Sequence, residues 1–485
     1  MLRFGFLQVT VCLAWAGVFC AGGPKSAAEE ESLPRPNFVL CMADDQGWGD
    51  AGYQGHPVLK TPVLDEMARS GLRFNRFYAA APVCSPTRGS VLTGRHPNRF
   101  ACFSWGHTLR PQEVTLAEAL RRAGYATGHF GKWHLGSVQA ASPVCPGNSG
   151  FDHWASSPNF YENDPLFSLN GRVIATRGES SQVTVELALE FIERCVRQEK
   201  PFLAVIWFGN PHLPHVATEE LKALYPDQPP RKQNYYGEVT GIDRAMGLLR
   251  RGLRKLGVAE NTLVWYTSDN GGRSPGSNGP LRGHKGQLWE GGIRVPAVIE
   301  WPAVIRSPRQ VDIPCGTVDI YPTLLELAGV EVEHQPVLDG ESLAGLIRGQ
   351  PWQRRRGLGF WVYPTRGRPK RSRQILQRLQ KAQQQGREPR NPEQLDLRAG
   401  KLTRTYTSED ARRGHAAWIE GPWKLHRVPI KGGFRWELYH LQRDPSERHN
   451  VAQQHPQVVQ RLRRRLAAWQ SSVLDSLNGK DYHEP

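Results

Sequence analysis

Much of what narrows this chain is absent from it. Its 485 residues contain no Asn-x-Ser/Thr acceptor for N-glycosylation, which argues against a glycosylated lysosomal or secreted animal enzyme and favours a bacterial exported protein. Cysteine is sparse. Of the eight present, Cys12 and Cys20 fall in or at the end of an N-terminal leader. Cys41, Cys84, Cys102, Cys145, Cys195 and Cys315 are too widely spaced for a disulfide framework; one or two bridges stay open, and sequence pairs none of them. No Cys/His cluster suggests zinc. No finger, repeat or recognition motif points to nucleic acid, and no segment beyond the leader approaches a membrane span. Acidic residues are also short: 46 against 62 basic ones leaves a formal charge of +16. That surplus draws polyanionic partners by long-range attraction, and with nucleic acid set aside the obvious class is sulfated polysaccharide.

What is present reads as a folded, exported, two-part protein. Hydrophobic residues make up 39% and tryptophan 15 positions, enough for a large core. Residues 1–23 read as a cleavable signal peptide: Arg3, an apolar stretch from Phe4 to Phe19, then small residues. A retained anchor fits less well, because Gln8 and Thr10 interrupt the stretch and a polar, acidic linker (24–35) follows. The mature chain is therefore expected to be soluble and periplasmic or secreted, with no membrane association after cleavage.

The body alternates strands and helices. Asn37 to Ala43, Phe202 to Phe208 and Thr262 to Thr267 are continuous apolar runs, as in buried parallel strands. Thr61-Pro62 opens a capped helix that ends at Gly71, and Thr115 with Glu118 forms a capping box. Val185, Ala188, Leu189 and Ile192, then Val239, Ile242, Met246 and Leu249, recur at helical spacing. This predicts an α/β fold, a mostly parallel sheet with helices on both faces. Near the end, Trp418 to Glu420, Trp423 to Val428 and Phe434 to Leu441 read as antiparallel strands closed by an amphipathic helix through Val458, Leu462, Leu466 and Trp469.

Chemistry-bearing residues follow three of the strands: Asp44-Asp45, Asn210-Pro211-His212, and Asp269-Asn270. An Asp after a strand is often only a turn or cap residue, and a lone His is usually structural. Three strand ends converging on such groups match the ligand crevice of open α/β sheets. Between them lies Cys84-Ser85-Pro86-Thr87-Arg88-Gly89.

Cys-x-Pro-x-Arg, together with ADDQGWGDAGYQG (43–55), GYATGHFGKWHLG (124–136), PHLPH (211–215), TSDNGG (267–272), GPLRGHKGQLWEGGIRVP (279–296) and WELYHLQRDPSERHN (436–450), resembles type I sulfatases of the alkaline phosphatase-like superfamily. The 276–281 stretch is similar to members acting on sulfated amino sugars and galactose, of the N-acetylgalactosamine-6-sulfatase type. The resemblance implies a catalytic domain over 36–345, with a C-terminal antiparallel subdomain over 414–485. It does not cover the Arg- and Gln-rich segment 346–413, which is expected as an insertion: a solvated face, a mobile loop, or a basic lip for an anionic polymer.

The resemblance also implies roles. Cys84 would be oxidised to formylglycine by a maturation enzyme. Asp44, Asp45, Asp269, Asn270 and the modified residue 84 would bind one cation, Ca²⁺ or alternatively Mg²⁺, as hard oxygen donors suit. Arg88 and Lys132 would hold the aldehyde hydrate, and Lys285 would contact sulfate. Attack on sulfur would be helped by Asp269. His212 or Lys285 would protonate the departing alcohol, and His134 would take the proton that lets sulfate leave. His215 is a further substrate-contact candidate, and Lys132 and His212 would also touch substrate. The substrate would be a sulfated carbohydrate, with aryl sulfates as surrogates. Two other readings stay open: a phosphate-ester or phosphonate hydrolase on the same fold, and a non-catalytic polyanion-binding homologue.

Overall fold

A computed structural model describes residues 35–387 and 391–482, together with 1, 2, 5, 8 and 10. The expected leader and linker lie, apart from those five residues and Arg35, outside the described residues.

Eleven strands form the large sheet: β1 (Asn37–Ala43), β2 (Leu72–Tyr78), β3 (Ala126–Lys132), β4 (His153–Ser157), β5 (Leu166–Leu169), β6 (Arg172–Ala175), β7 (Phe202–Trp207), β8 (Thr262–Ser268), β9 (Arg294–Glu300), β10 (Arg309–Val311) and β11 (Cys315–Gly316). Their order is β10-β2-β9-β8-β1-β7-β3-β4-β5-β6, with β11 also on β2. The central strands β8, β1, β7, β3 and β4 run parallel, while β9, β5 and β6 join antiparallel.

The apolar runs are buried on both faces because side chains alternate across a strand. Phe38, Leu40 and Met42 enter one core with Leu203, Val205, Trp207 and Trp265, beneath the helices Cys84–Thr93, Leu116–Arg122 and Ile320–Ala328. Val39, Cys41 and Ala43 enter the other with Ala204, Ile206 and Tyr266, beneath Ser180–Arg197 and Pro230–Lys255. Full burial of each Phe, Leu, Met, Val or Ile among them contributes about 1.5–3 kcal/mol. The six described cysteines are buried and free, so no disulfide joins described residues.

The capping box at Thr115 and Glu118 is present, with reciprocal hydrogen bonds of 3.1 and 2.8 Å. The helix Pro62–Ser70 is capped differently from expectation. Thr61 makes no side-chain cap bond; its hydroxyl donates to Asp65 and accepts from Gly52 N. The free N–H groups of Val63 and Leu64 are instead taken by buried Asp243, at 3.2 and 2.8 Å, from another helix.

β12 (Leu358–Val362), β13 (His415–Glu420), β14 (Trp423–Ile430) and β15 (Gly433–His440) form the small antiparallel sheet. Phe360, Ala417, Ile419 and Tyr439 pack towards Tyr78, Leu288 and Ile293 of the main body. Trp361, Trp418, Leu425 and Leu438 pack under Leu462, Leu466, Val473 and Leu477 of the helix Pro456–Leu477. The basic segment 346–413 is built into this frame. It supplies β12, and its Gln-rich part is the helix Ser372–Gln384, which buries Leu376 and Leu379 in the main core.

Candidate active site

The parallel centre of the sheet delivers the polar residues to one place. Hydrogen bonding between neighbouring chains continues past the strand ends, with Asp44 N on Asn210 O at 2.9 Å and Asp269 N on Ala43 O at 3.2 Å. The loops after β1, β7 and β8 are therefore tied side by side. Lys132 closes β3, and His134 follows two residues later. Asp45 and His134 both have left-handed backbones, φ 69° and 55°, a conformation that ordinary residues adopt at some cost and that clusters at functional sites. Cys84 is the first residue of a helix whose every position is buried, and Arg88 lies one turn further along the same helix.

These residues form one interlocked cluster. Arg88 donates to Asp269 Oδ2 at 2.7 Å, and Lys132 Nζ donates to Asp44 Oδ2 at 2.6 Å. Lys285 Nζ reaches both Asp45 oxygens, at 2.6 and 2.7 Å. Asp45 N donates to Asp269 Oδ1 at 3.0 Å, and Asn270 Nδ2 donates to Asp45 Oδ1 at 2.8 Å. Asp44, Arg88, Lys132, Asp269 and Asn270 are wholly shielded from solvent. Ligating atoms of Asp44, Cys84 and Asp269 lie within 4.8 Å of one another, as do those of Asp44, Asp45 and His212.

The donor set fits a hard divalent cation. Asp44 Oδ1 and Asn270 Oδ1 are buried without any hydrogen-bond partner, a state that costs free energy unless something else satisfies them. Three carboxylates face three cationic side chains, so the cluster is formally neutral; a divalent ion would leave it positive and ready for an anion.

Electrostatics sort the groups. Burial pushes the Asp44 carboxyl up to about 7, against the pull of Lys132. Burial also acts to raise Asp45, but Lys285, His212 and Lys132 outweigh it and hold that carboxyl below the usual range. Burial alone would lower Lys285, yet Asp45 and the other anionic groups keep its ammonium well above its ordinary value. Burial holds His134 far below the ordinary imidazole range, with Lys132 and Arg88 adding to the effect; both its ring nitrogens are buried and unpartnered. Burial likewise takes His212 down to about 3 despite nearby Asp45. Its Nε2 is 3.7 Å from Asp45 Oδ2, and its Nδ1 is 2.6 Å from Leu213 O.

His215 is elsewhere in the network: its Nδ1 is 3.1 Å from Glu238, and its ring meets Tyr235 edge-on. Asp50 is a buried hub that accepts from Gly47 N, Ser277 N and Tyr235 OH. It fixes the loop after β8 to the loop after β1.

Sequence reasoning missed three features here. Phe160 stacks on His212 with ring centroids 4.5 Å apart. Lys370, from the basic segment, lies close enough to His134 to depress its pKa. Lys424, Glu290, Glu447 and His426 form a buried polar knot behind the Lys285 loop. For the knot a signal was available: Lys424 and His426 alternate with Trp423 and Leu425, which assigns both polar side chains to one face of β14.

Comparison with known proteins follows the same lines. A family model described as Sulfatase matches residues 36–330. Steryl-sulfatase of Rattus norvegicus is 33% identical over 416 residues, covering 65% of this chain and 71% of that protein. N-acetylgalactosamine-6-sulfatase of Mus musculus is 33% identical over 394 residues, covering 72% and 71%. A solved structure described as Ps i-CgsB in complex with k-i-k-neocarrahexaose superposes with a TM-score of 0.75 at 24% identity, covering 93% of this chain and 95% of the other.

Proposed function

We propose, on the premise that this chain belongs to the sulfatase family and hydrolyses sulfuric esters, that its substrate is a sulfated carbohydrate and that the reaction runs at the cluster around Cys84. The observation that carries this reading is the buried, charge-balanced set of Asp44, Asp45, Asp269, Arg88, Lys132 and Lys285, with two oxygens left unpartnered at the carboxyl ends of β1 and β8. Relatives named for a steryl sulfate and for an N-acetylgalactosamine sulfate both match. The charge of +16 favours the sugar, because an anionic polymer gains from long-range attraction and a lone steroid ester gains little.

Asp44, Asp45, Asp269 and Asn270 would hold one cation, Ca²⁺ in our reading and Mg²⁺ as the alternative, together with an oxygen on residue 84. When present, the cation supplies Lewis acidity at a sulfate oxygen, and formylglycine made from Cys84 supplies the oxygen nucleophile. The rest falls to the chain's own side chains. Arg88 and Lys132, each locked to a carboxylate, hold negative charge at residue 84 without having to reorganise. Asp269, fixed by Arg88 and Asp45 N, receives the first proton. Neutral His134 has a free ring nitrogen to receive the second. Lys285, charged across the neutral range, binds a sulfate oxygen and can return a proton to the departing alcohol. His212 stands beside it, and an anion entering there would oppose the desolvation that now disfavours its charged form. His215, the further candidate for a sugar contact, is held by Glu238 and would reach a substrate only at the rim of the site.

The test combines peptide mass spectrometry at Cys84 with a panel of sulfated sugars, aryl sulfates, phosphate esters and phosphonates. An aldehyde at position 84 with preference for sulfated sugars supports the proposal. Preference for phosphate esters or phosphonates would move the chain to a neighbouring chemistry. An unmodified thiol with no turnover would leave a polyanion-binding homologue.

A further inference from the structure

A second basic feature lies on the outer side of the small sheet and shares no residue with the Cys84 cluster. A groove of about 740 Å³ runs between the β14–β15 hairpin and the helix Pro456–Leu477. Four arginines line it, Arg412, Arg427, Arg463 and Arg464, with the rings of Phe434 and Trp436 between them; no acidic side chain does. The Arg463 guanidinium sits over Trp436 at 4.7 Å and that of Arg427 over Phe434 at 4.9 Å. Phe434 is 38% exposed, so its ring is open to a ligand.

The charge in the groove is uncompensated. Arg461 and Arg465, on the same helix, face Glu420 at 3.2 and 3.9 Å. The four groove arginines form no ion pair among the described residues. Arg427 is 6% exposed, donates to Gln470 Oε1 and Ala411 O, and leaves its Nε buried without a partner. Burial, with Arg412 adding to it, pushes the Arg427 pKa down to about 10. A guanidinium that is desolvated, short of one acceptor and repelled by a like charge gains strongly from an incoming anion.

We propose that this groove is a second binding site, for a run of sulfated polysaccharide. Guanidinium groups would take the sulfates through charge-assisted hydrogen bonds, and Phe434 and Trp436 would take the apolar faces of the sugars. Four cations with two aromatic rings in one groove of this size suit a chain with repeated anionic groups better than one compact anion. A site of this kind tethers the polymer whose esters the Cys84 cluster would cleave, yet its existence does not depend on turnover there.

The experiment is calorimetric titration of the full chain carrying Cys84→Ala, so that no ester is cleaved, with a sulfated galactan hexasaccharide. The chemically desulfated hexasaccharide and a short single-stranded DNA are the controls. The double variant Arg463→Gln/Arg464→Gln is compared with Arg463→Lys/Arg464→Lys. Both positions are partly or wholly exposed, so neither change disturbs the core. The glutamine pair is expected to weaken the sulfated hexasaccharide by about tenfold, at the low end of gains from electrostatic attraction, and the lysine pair by less. In the Cys84 background, aryl sulfate turnover by the glutamine pair should stay unchanged, which separates failure of this site from failure of the catalytic reading. Unchanged affinity in the glutamine pair overturns the proposal. So does equal binding of the desulfated sugar, or DNA binding as tight as that of the sulfated one.

Discussion

Lys424→Met should be among the most damaging single changes outside the Cys84 cluster. The Lys424 ammonium lies 2.9 Å from Glu290 Oε1 and 3.1 Å from Glu447 Oε1, and all three side chains are wholly shielded from solvent. With an effective dielectric constant of about 20, each contact is worth about 5–6 kcal/mol of attraction. Methionine matches the lysine stem and relieves the desolvation of one cation, several kcal/mol on its own. The net expected loss is about 3–5 kcal/mol, typical of breaking a buried pair from one side. Compensation is available and limits the loss. Glu290 also accepts from Tyr78 OH at 2.9 Å and faces Arg294 at 3.6 Å, while Glu447 accepts from Glu290 N and meets His426 at 2.7 Å. Urea unfolding followed by tryptophan fluorescence measures the change. Lys424→Met/Glu447→Gln, which also removes one orphaned anion, should recover a large part of it. A loss below about 1 kcal/mol, or a double variant no more stable than the single one, would refute the reasoning, because a buried unpaired carboxylate would then cost nothing. The same knot fixes the chain five residues beyond Lys285, so KM for a sulfate ester should rise in the variant as well.

Cys84→Ala should abolish turnover and leave the thermal midpoint unchanged, since it removes one small buried atom from a helix start; residual sulfatase activity would sink the mechanism. Asp269→Ala should lose metal and activity together, read by elemental analysis and a sulfate-release assay. It also takes the nearer carboxylate from buried Arg88, which keeps Asp44 at 3.8 Å and Lys132 O at 3.3 Å; full metal content in an inactive variant would remove Asp269 from the ligand set. Asp339 accepts from Arg99 at 2.7 and 2.8 Å, from His96 N at 2.6 Å and from Trp469 Nε1 at 2.8 Å. Burial pushes its carboxyl up, but Arg99 and the hydrogen bonds outweigh this and hold it below the usual range. A depressed carboxyl contributes stability above its unfolded value and loses it as pH falls through the folded one. The advantage of wild type over Asp339→Asn should therefore be constant at neutral pH and shrink only below about pH 4. Shrinkage near pH 6 would contradict the assignment.

The parts of this protein that sequence made legible are those where one local signal suffices. Asn37 to Ala43 is apolar on both faces, so it had to be an internal strand, and the carboxylates after it had to lie at the sheet's carboxyl edge. The illegible parts are long-range. The cap on the Pro62–Ser70 helix comes from Asp243, 179 residues from Leu64, and a Thr-Pro start cannot announce it. Phe160 is an ordinary aromatic until β7 brings His212 against it. The arginines near the C-terminus lie between these extremes. As a run, Arg461 and Arg463 to Arg465 reads only as a solvated basic face. At about 100° per residue, however, positions 461 and 465 share one side of a helix and 463 points elsewhere. The structure uses that split, with Glu420 meeting the first pair and Arg463 and Arg464 turned into the groove. Helical period alone could thus have set Arg463 apart from the paired charges but not Arg464, three residues from Arg461, and only the hairpin packed alongside reveals that both face two aromatic rings.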